Sequence, residues 1–315
     1  MAPGVILLDG QQPLDFSRGG SASTVHPFMQ WGRRLMNGFF HNIPLEFFVF
    51  CAGVFGAAAG SFFHVCVVRI PEDQSIVSPG SHCPQCNNPI PWYNNVPIFS
   101  YLLLGGVCPN CKLRIPPRYI IFEMLSALAF MGVVWRFGGT AAALPTVFLY
   151  LFLVSDLLII SGIDWDHQYI PDELSIPMSF IALAMGGLAQ WTGWFPLALV
   201  QTFPDALLGL AVGGGLIWSI RAIGTFIFQQ EAMGFGDVKL MAFLGGFLGW
   251  QEALLCIFLA AFFGSIVGVN LKLAGKLEKY GKIPFGPYLA LGAYGCLLFG
   301  PELIAWYTKP FVIGY

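Results

Sequence analysis

The sequence predicts an all-α polytopic membrane protein of about eight transmembrane helices, with a small zinc-ribbon-like domain between helices 1 and 2. Three observations predict it. Of 315 residues, 56% are hydrophobic and 10% charged, against about 45–50% and about 25% in ordinary globular domains. Mean hydropathy is +0.70. Apolar runs near the roughly 20 residues that a bilayer crossing needs recur along the chain. A net charge of −2 leaves no broad basic face, so a nucleic-acid partner is not expected.

The elements follow in chain order. Residues 1–45 are mixed in character and rich in Gly, Pro and Ser, and read as an N-terminal tail. Asp9 and Asp15 sit early, and no basic block precedes an apolar one, so this is not a signal peptide pattern. Residues 46–68 form helix 1, centred on the apolar run Phe47 to Val68. Residues 69–118 are polar, rich in Pro and Asn, and hold four of the eight cysteines; they form an extramembrane domain. Residues 119–305 carry helices 2–8, and 306–315 form a C-terminal tail. The expected spans in this core run over 119–135, 140–163, 174–195, 206–228, 240–250, 253–273 and 283–305. The run 240–250 is short and Gly-rich, which fits a half-span or a tightly packed helix. Lys and Arg in short loops place the 69–118 domain in the cytoplasm and both termini outside. Arg221, inside an apolar run, is expected to snorkel toward the cytoplasmic end.

Cys83, Cys86, Cys108 and Cys111 form two CxxC pairs, each with Pro after its first Cys. That spacing suits two knuckles offering four thiolates to one tetrahedral zinc. A domain of this size builds little core and gains from a metal staple. Two disulfides are the rival arrangement, disfavoured in a reducing cytoplasm. Cys51, Cys66, Cys256 and Cys296 lie in apolar runs and read as small core hydrophobes.

Two acidic clusters sit at membrane edges on one side of the expected topology. Asp164, Asp166, Asp172 and Glu173 lie between the third and fourth runs, and Asp237 sits in Gly234-Phe235-Gly236-Asp237-Val238-Lys239. Two carboxylates brought together at low dielectric share one proton, so that one acts as acid and the other as base toward water. The flanking glycines allow close backbone approach. Capping competes as an explanation, above all for Asp172 after Pro171 and for Asp237 at a helix start. Spacing alone does not choose among Asp164, Asp166 and Asp172 as the partner of Asp237. Asp156 and Glu123, inside spans, read as structural polar contacts.

The chain resembles the type IV prepilin peptidases, or leader peptidase/N-methyltransferases, which are polytopic GxGD aspartic proteases. The resemblance rests on Gly60-Ser61-Phe62, Arg69-Ile70-Pro71, both cysteine knuckles, Pro91-Trp92-Tyr93-Asn94-Asn95-Val96-Pro97 and Gly105-Gly106. It continues through Ile163-Asp164 with Pro171-Asp172, Gly234-Phe235-Gly236-Asp237 with Lys239, and Pro284-Phe285-Gly286-Pro287-Tyr288. It implies that Asp164 and Asp237 are the catalytic pair, supported by Gly234, Gly236, Lys239, Pro171 and Asp172. It implies zinc on the four cysteines and S-adenosyl-L-methionine as methyl donor. The implied substrates are prepilins or pseudopilins of type IV pili or type II secretion, met at the cytoplasmic face of a bacterial inner membrane, with lipid around the helices. The acids Asp166, Asp172 and Glu173 would attract the basic leader. The chain departs from many relatives at Val107, where they carry Lys before the third cysteine. A transporter, or a non-catalytic scaffold of a secretion machine with a zinc docking module, are the alternatives.

Overall fold

The computed structural model describes residues 43–83, 85–231, 233–275 and 284–312. The tail of residues 1–45 lies almost wholly outside these residues. Helix α1 runs over Leu45–Arg69, and the short α2 over Phe99–Leu103 lies in the domain that follows it. The membrane core holds α3 (Arg118–Phe137), α4 (Leu144–His167), α5 (Asp172–Thr192), α6 (Phe203–Phe228), α7 (Phe235–Leu248), α8 (Trp250–Leu273) and α9 (Gly286–Val312). Among the described residues, seven helices are long and apolar enough to cross a bilayer, and α7 is the short eighth member of the set.

Local chemistry sets the helix ends. Pro occupies the first turn of α4 and α6, where its missing N–H costs nothing. Thr202 caps α6 by accepting the Asp205 N–H at 3.2 Å. Gln168, in the left-handed region at φ 56°, closes α4 by donating its N–H to the Asp164 carbonyl. The last helix continues through residues 306–312, which the sequence sets apart as a tail. Trp306, Tyr307 and Lys309 are the ring-and-cation types that sit at a membrane interface, so loss of apolar character there does not end the helix.

The sixth span departs most from its expected bounds. It begins at Phe235, ahead of the apolar run, and ends at Leu248 because Gly249 takes φ 94°; Trp250 starts the next helix. Its 14 residues reach roughly 21 Å at 1.5 Å per residue, short of the roughly 30 Å hydrocarbon core. Protein surrounds it instead of lipid. Leu240, Met241, Phe243, Leu244 and Phe247 are fully buried among α5, α6, α8 and α9. A Cβ on Gly209 of α6 would lie 2.0 Å from the Gly245 carbonyl of α7, and one on Gly213 would lie 2.5 Å from the Met241 carbonyl. The two backbones touch, as small residues at membrane-helix crossings allow. At its far end, the segment before α6 folds inward: the Leu199 N–H donates to the Tyr150 hydroxyl at 2.8 Å, and Ala198 and Val200 are buried.

One end of the bundle gathers the functional segments. The ends of α1 and α4 and the starts of α3, α5, α7 and α9 meet there. Gly162 of α4 packs on Val67 of α1 and Phe122 of α3, and the Gly286 N–H of α9 reaches Asp164 of α4. Arg221 reaches toward this end too, donating from Nε to the Met233 carbonyl at 3.0 Å and pairing with Glu231 at 3.2 Å. Of the four cysteines outside the small domain, Cys66, Cys256 and Cys296 are buried as expected, while Cys51 is exposed on α1.

Candidate active site and metal centre

Asp164 sits in the last turn of α4 and is 5% exposed. Its Oδ2 accepts the Gly286 backbone N–H at 2.8 Å. A Cβ on Gly286 would stand 2.7 Å from that oxygen, so only glycine lets the α9 backbone come this close. Asp237 is the third residue of α7 and is 8% exposed. Its carboxylate reaches back to the N–H of Gly234, the N-cap residue. This is half of a capping box, so Asp237 caps its helix and still faces the second acid. The Asp164 carboxylate stands close enough for its charge to be felt at Asp237. Gly236 makes this possible: a Cβ there would meet Ile170 of the α4–α5 connection at 3.0 Å.

The other acids at this end are spoken for. Asp166 pairs with Arg118 at the start of α3, and Asp172 pairs with Lys239, whose ammonium also lies over the Phe235 ring. Both pairs are part-exposed and tie neighbouring helix ends together. Pro171 is the N-cap of α5, and its carbonyl accepts the Ser175 N–H and hydroxyl. The expected pull of Asp166 and Asp172 on a basic leader is therefore reduced, since each already faces a cation.

The four cysteines converge. Their sulfurs all lie within 4.8 Å of one another, and Cys83 Sγ and Cys111 Sγ are 3.7 Å apart. Thiolates bound tetrahedrally at the usual zinc–sulfur distance would stand about 3.8 Å apart. The two knuckles repeat one geometry. The Cys83 N–H donates to the Asn88 carbonyl and the Asn87 N–H to the Cys83 carbonyl, and Cys108 does the same with Leu113 and Lys112. Asn87 and Lys112 both take left-handed φ, 56° and 59°. Backbone N–H groups of Cys86 and Gln85 aim at Cys83 and bring its thiol down to about 6. All four cysteines are free thiols, so the disulfide alternative is not seen.

Residues 54–137 match the bacterial Peptidase A24 N-terminal domain, and residues 151–269 match the type IV leader peptidase family. A prepilin leader peptidase/N-methyltransferase of Pseudomonas aeruginosa is 35% identical over 84% of this chain and 95% of that protein. The chain belongs to the type IV leader peptidase family. A relative of the same name from Neisseria gonorrhoeae is 31% identical over 84% of this chain and 94% of its own length. One from Myxococcus xanthus is 38% identical over 70% of this chain and 62% of its own. No solved structure matches the chain.

Within this leader peptidase frame, the structure brings Asp164, Asp237, Gly234 and Gly236 together and sets Lys239, Pro171 and Asp172 beside them. Gly286 completes the site; its motif is plain in the sequence, but no role for it is. Of the two acids inside spans, Glu123 keeps its structural reading and Asp156 does not. Glu123 binds backbone, accepting the Ile98 N–H at 2.6 Å, and leaves Arg118 to Asp166. Asp156 is buried, and its Oδ2 has no partner among the described residues, so it is not a satisfied interhelical contact.

Proposed function

We propose that the chain is a membrane prepilin leader peptidase and N-methyltransferase whose peptidase centre is the Asp164–Asp237 pair. The observation that carries the reading is the meeting of two buried carboxylates from helices far apart in sequence, each fixed by a backbone N–H. A water held between them loses a proton to the ionised carboxylate as its oxygen attacks the scissile carbonyl. The protonated partner hydrogen-bonds the carbonyl oxygen and takes up its developing charge. Collapse breaks the C–N bond, the amine leaves with a proton from the pair, and the leader leaves as a carboxylic acid. A substrate with an apolar helix after its leader can lie in the bilayer beside the bundle while the junction reaches this end.

The four cysteines fit zinc in donor type, count and spacing, and we assign them a structural zinc. S-adenosyl-L-methionine supplies the methyl group for the new N-terminal amine. The cationic residues Arg69, Lys112, Arg114, Arg118, Lys239 and Lys272 gather at the aspartate end, which supports a cytoplasmic orientation of that end in an inner-membrane protein. Neither a transporter nor a scaffold requires two backbone-anchored carboxylates facing each other.

The test is incubation of the purified protein in lipid with a prepilin, with and without methyl donor, followed by product mass. Leader loss, and a further methyl only with donor, is the expected result. Asp164→Asn and Asp237→Asn are each expected to cut cleavage by at least about 100-fold, the scale of general acid–base catalysis, with an unchanged melting temperature. Cleavage at the wild-type rate in either variant would remove that residue from the pair.

A further inference from the structure

A cavity of about 350 Å³ lies where the four-cysteine domain rests on the ends of α1 and α3. It is separate from the aspartate pair. His64 and Glu123 form its membrane-side floor, and Asn94, Asn95 and Tyr101 belong to its domain side. Four features mark it as built to hold something. His64 is 4% exposed, and its Nε2 is buried with no hydrogen-bond partner among the described residues. A buried orphan nitrogen is costly to leave without a ligand. The imidazole is fixed by stacking on Tyr119, with ring centroids 4.0 Å apart, and by the edge contact with Phe122 at 5.6 Å. Glu123 is 8% exposed and is held by the Ile98 N–H and the Ser61 hydroxyl. Ile98 itself takes φ 64° and ψ −54°, a conformation that a β-branched residue adopts only when its surroundings impose it.

We propose that this cavity is the methyl-donor site, binding a nucleoside that carries a sulfonium-bearing amino acid. The inference rests on the N-methyltransferase reading above and adds the residues that would do the binding. The chemistry of the lining matches the ligand part by part. The Glu123 carboxylate offers the negative charge that a sulfonium and an ammonium group seek. Tyr101 and Tyr119 offer ring faces, to which a cation or an adenine is attracted. The side-chain amides of Asn94 and Asn95 can both donate and accept, as the edge of a purine or the hydroxyls of a ribose require. His64 Nε2 gains the partner it lacks. The volume falls within the range of about 300–1,000 Å³ found for small-molecule sites.

Placement supports the assignment. Tyr119, on the cavity wall, follows Arg118, whose guanidinium pairs with Asp166, two residues beyond Asp164. An amine released at the aspartate pair therefore emerges beside this cavity. The polar residues of a prepilin leader are the rival occupant.

The test measures binding without prepilin, on the full zinc-loaded chain in lipid nanodiscs, by calorimetry with S-adenosylhomocysteine as an unreactive probe. His64→Ala and Glu123→Gln are each expected to weaken binding by about tenfold or more, as loss of a hydrogen bond to a charged ligand does. Glu123 also holds Ile98, so zinc content and melting temperature are recorded beside each titration. Asn94→Trp fills the half-buried rim while leaving the Glu123 hydrogen bonds intact, and is expected to abolish binding. A photoreactive methyl-donor analogue should label peptides containing His64 or residues 94–101. Wild-type affinity in correctly folded His64→Ala and Asn94→Trp chains, or labelling confined to α5–α8, would overturn the assignment. Competition by a leader peptide for the cavity, with probe affinity unaltered in the variants, would assign it to the leader instead. Failure of the wild-type chain to shorten a prepilin would count against the peptidase reading alone, because the binding arm needs no cleavage.

Discussion

The two ends of the functional unit are held in opposite ways. Around Asp237 the chain packs backbone against backbone, and most of α7 is buried. In the cysteine domain only Cys83, Ser100, Gly106 and Cys108 are buried among the described residues from 70 to 117, while Trp92, Phe99 and Leu103 are exposed. The aspartate centre takes its rigidity from steric fit, which any added atom disturbs. The cysteine domain has almost no core, and its organising feature is four sulfurs within 4.8 Å of one another. The contrast predicts that the two regions respond to different insults.

Metal removal should produce the largest and most localised effect. Structural zinc in a small domain supplies on the order of 10–16 kcal/mol of folding free energy, far more than this domain's few buried side chains. Chelation, or Cys83→Ser with Cys108→Ser, should expose residues 70–117 to limited proteolysis while α4–α9 stay resistant. If the domain stays resistant and its thermal transition does not move, the metal does not organise it.

Next comes Gly245→Ala. The corresponding Cβ at Gly209 would stand 2.0 Å from the Gly245 carbonyl, and one at Gly245 would stand 2.1 Å from the Gly209 carbonyl. Backbone on both sides leaves nothing flexible to yield, so the cost should reach or exceed the upper end of the roughly 1–3 kcal/mol range for overpacking. Thermal unfolding in lipid measures it, and an unchanged midpoint would show that α6 and α7 are not locked at this crossing.

Gly286→Ala probes the site more finely. The added methyl group would press on the Asp164 carboxylate, the end of a side chain that can rotate away. Stability should change little, whereas a displaced catalytic group on the scale of 1 Å costs about 100-fold in rate. A variant with wild-type cleavage would show that the Gly286 contact does not position Asp164.

The difference between the regions also decides what the sequence could reveal. The cysteine knuckles were legible because a tetrahedral metal demands four thiolates at fixed spacing, which is a local pattern. The long helices were legible because hydrocarbon thickness sets their length. The core site was legible only in part. From spacing, Asp164, Asp166 and Asp172 were equivalent, and the family resemblance chose Asp164. The structure shows what separates them: Asp166 and Asp172 each face a cation at the part-exposed rim, and Asp164 is buried against a backbone N–H. That N–H belongs to Gly286, 122 residues away, a separation that no periodicity encodes. The bounds of α7 were misplaced for a related reason. Its start depends on a cap at Gly234 and its end on the positive φ of Gly249, while hydropathy follows only the apolar stretch between. His64 gave no signal at all, since one histidine in an apolar run is ordinary until its neighbours are known.

The smallest effect should come from the rim. The Lys239–Asp172 pair joins the first turns of α7 and α5, with Asp172 58% exposed. Exposed ion pairs contribute about 0–1 kcal/mol and are screened by salt. Asp172→Asn should therefore lower stability by less than about 1 kcal/mol, and the difference from wild type should vanish at high ionic strength. Its effect on cleavage separates two roles. As a tether, the pair holds Lys239 away from the substrate, and freeing that ammonium should raise KM for a basic leader while kcat stays put, an increase that salt removes. As part of the chemistry, its loss would lower kcat at every salt concentration. The first outcome keeps the rim electrostatic and the centre steric; the second would extend the catalytic unit to the helix ends and erase the boundary between them.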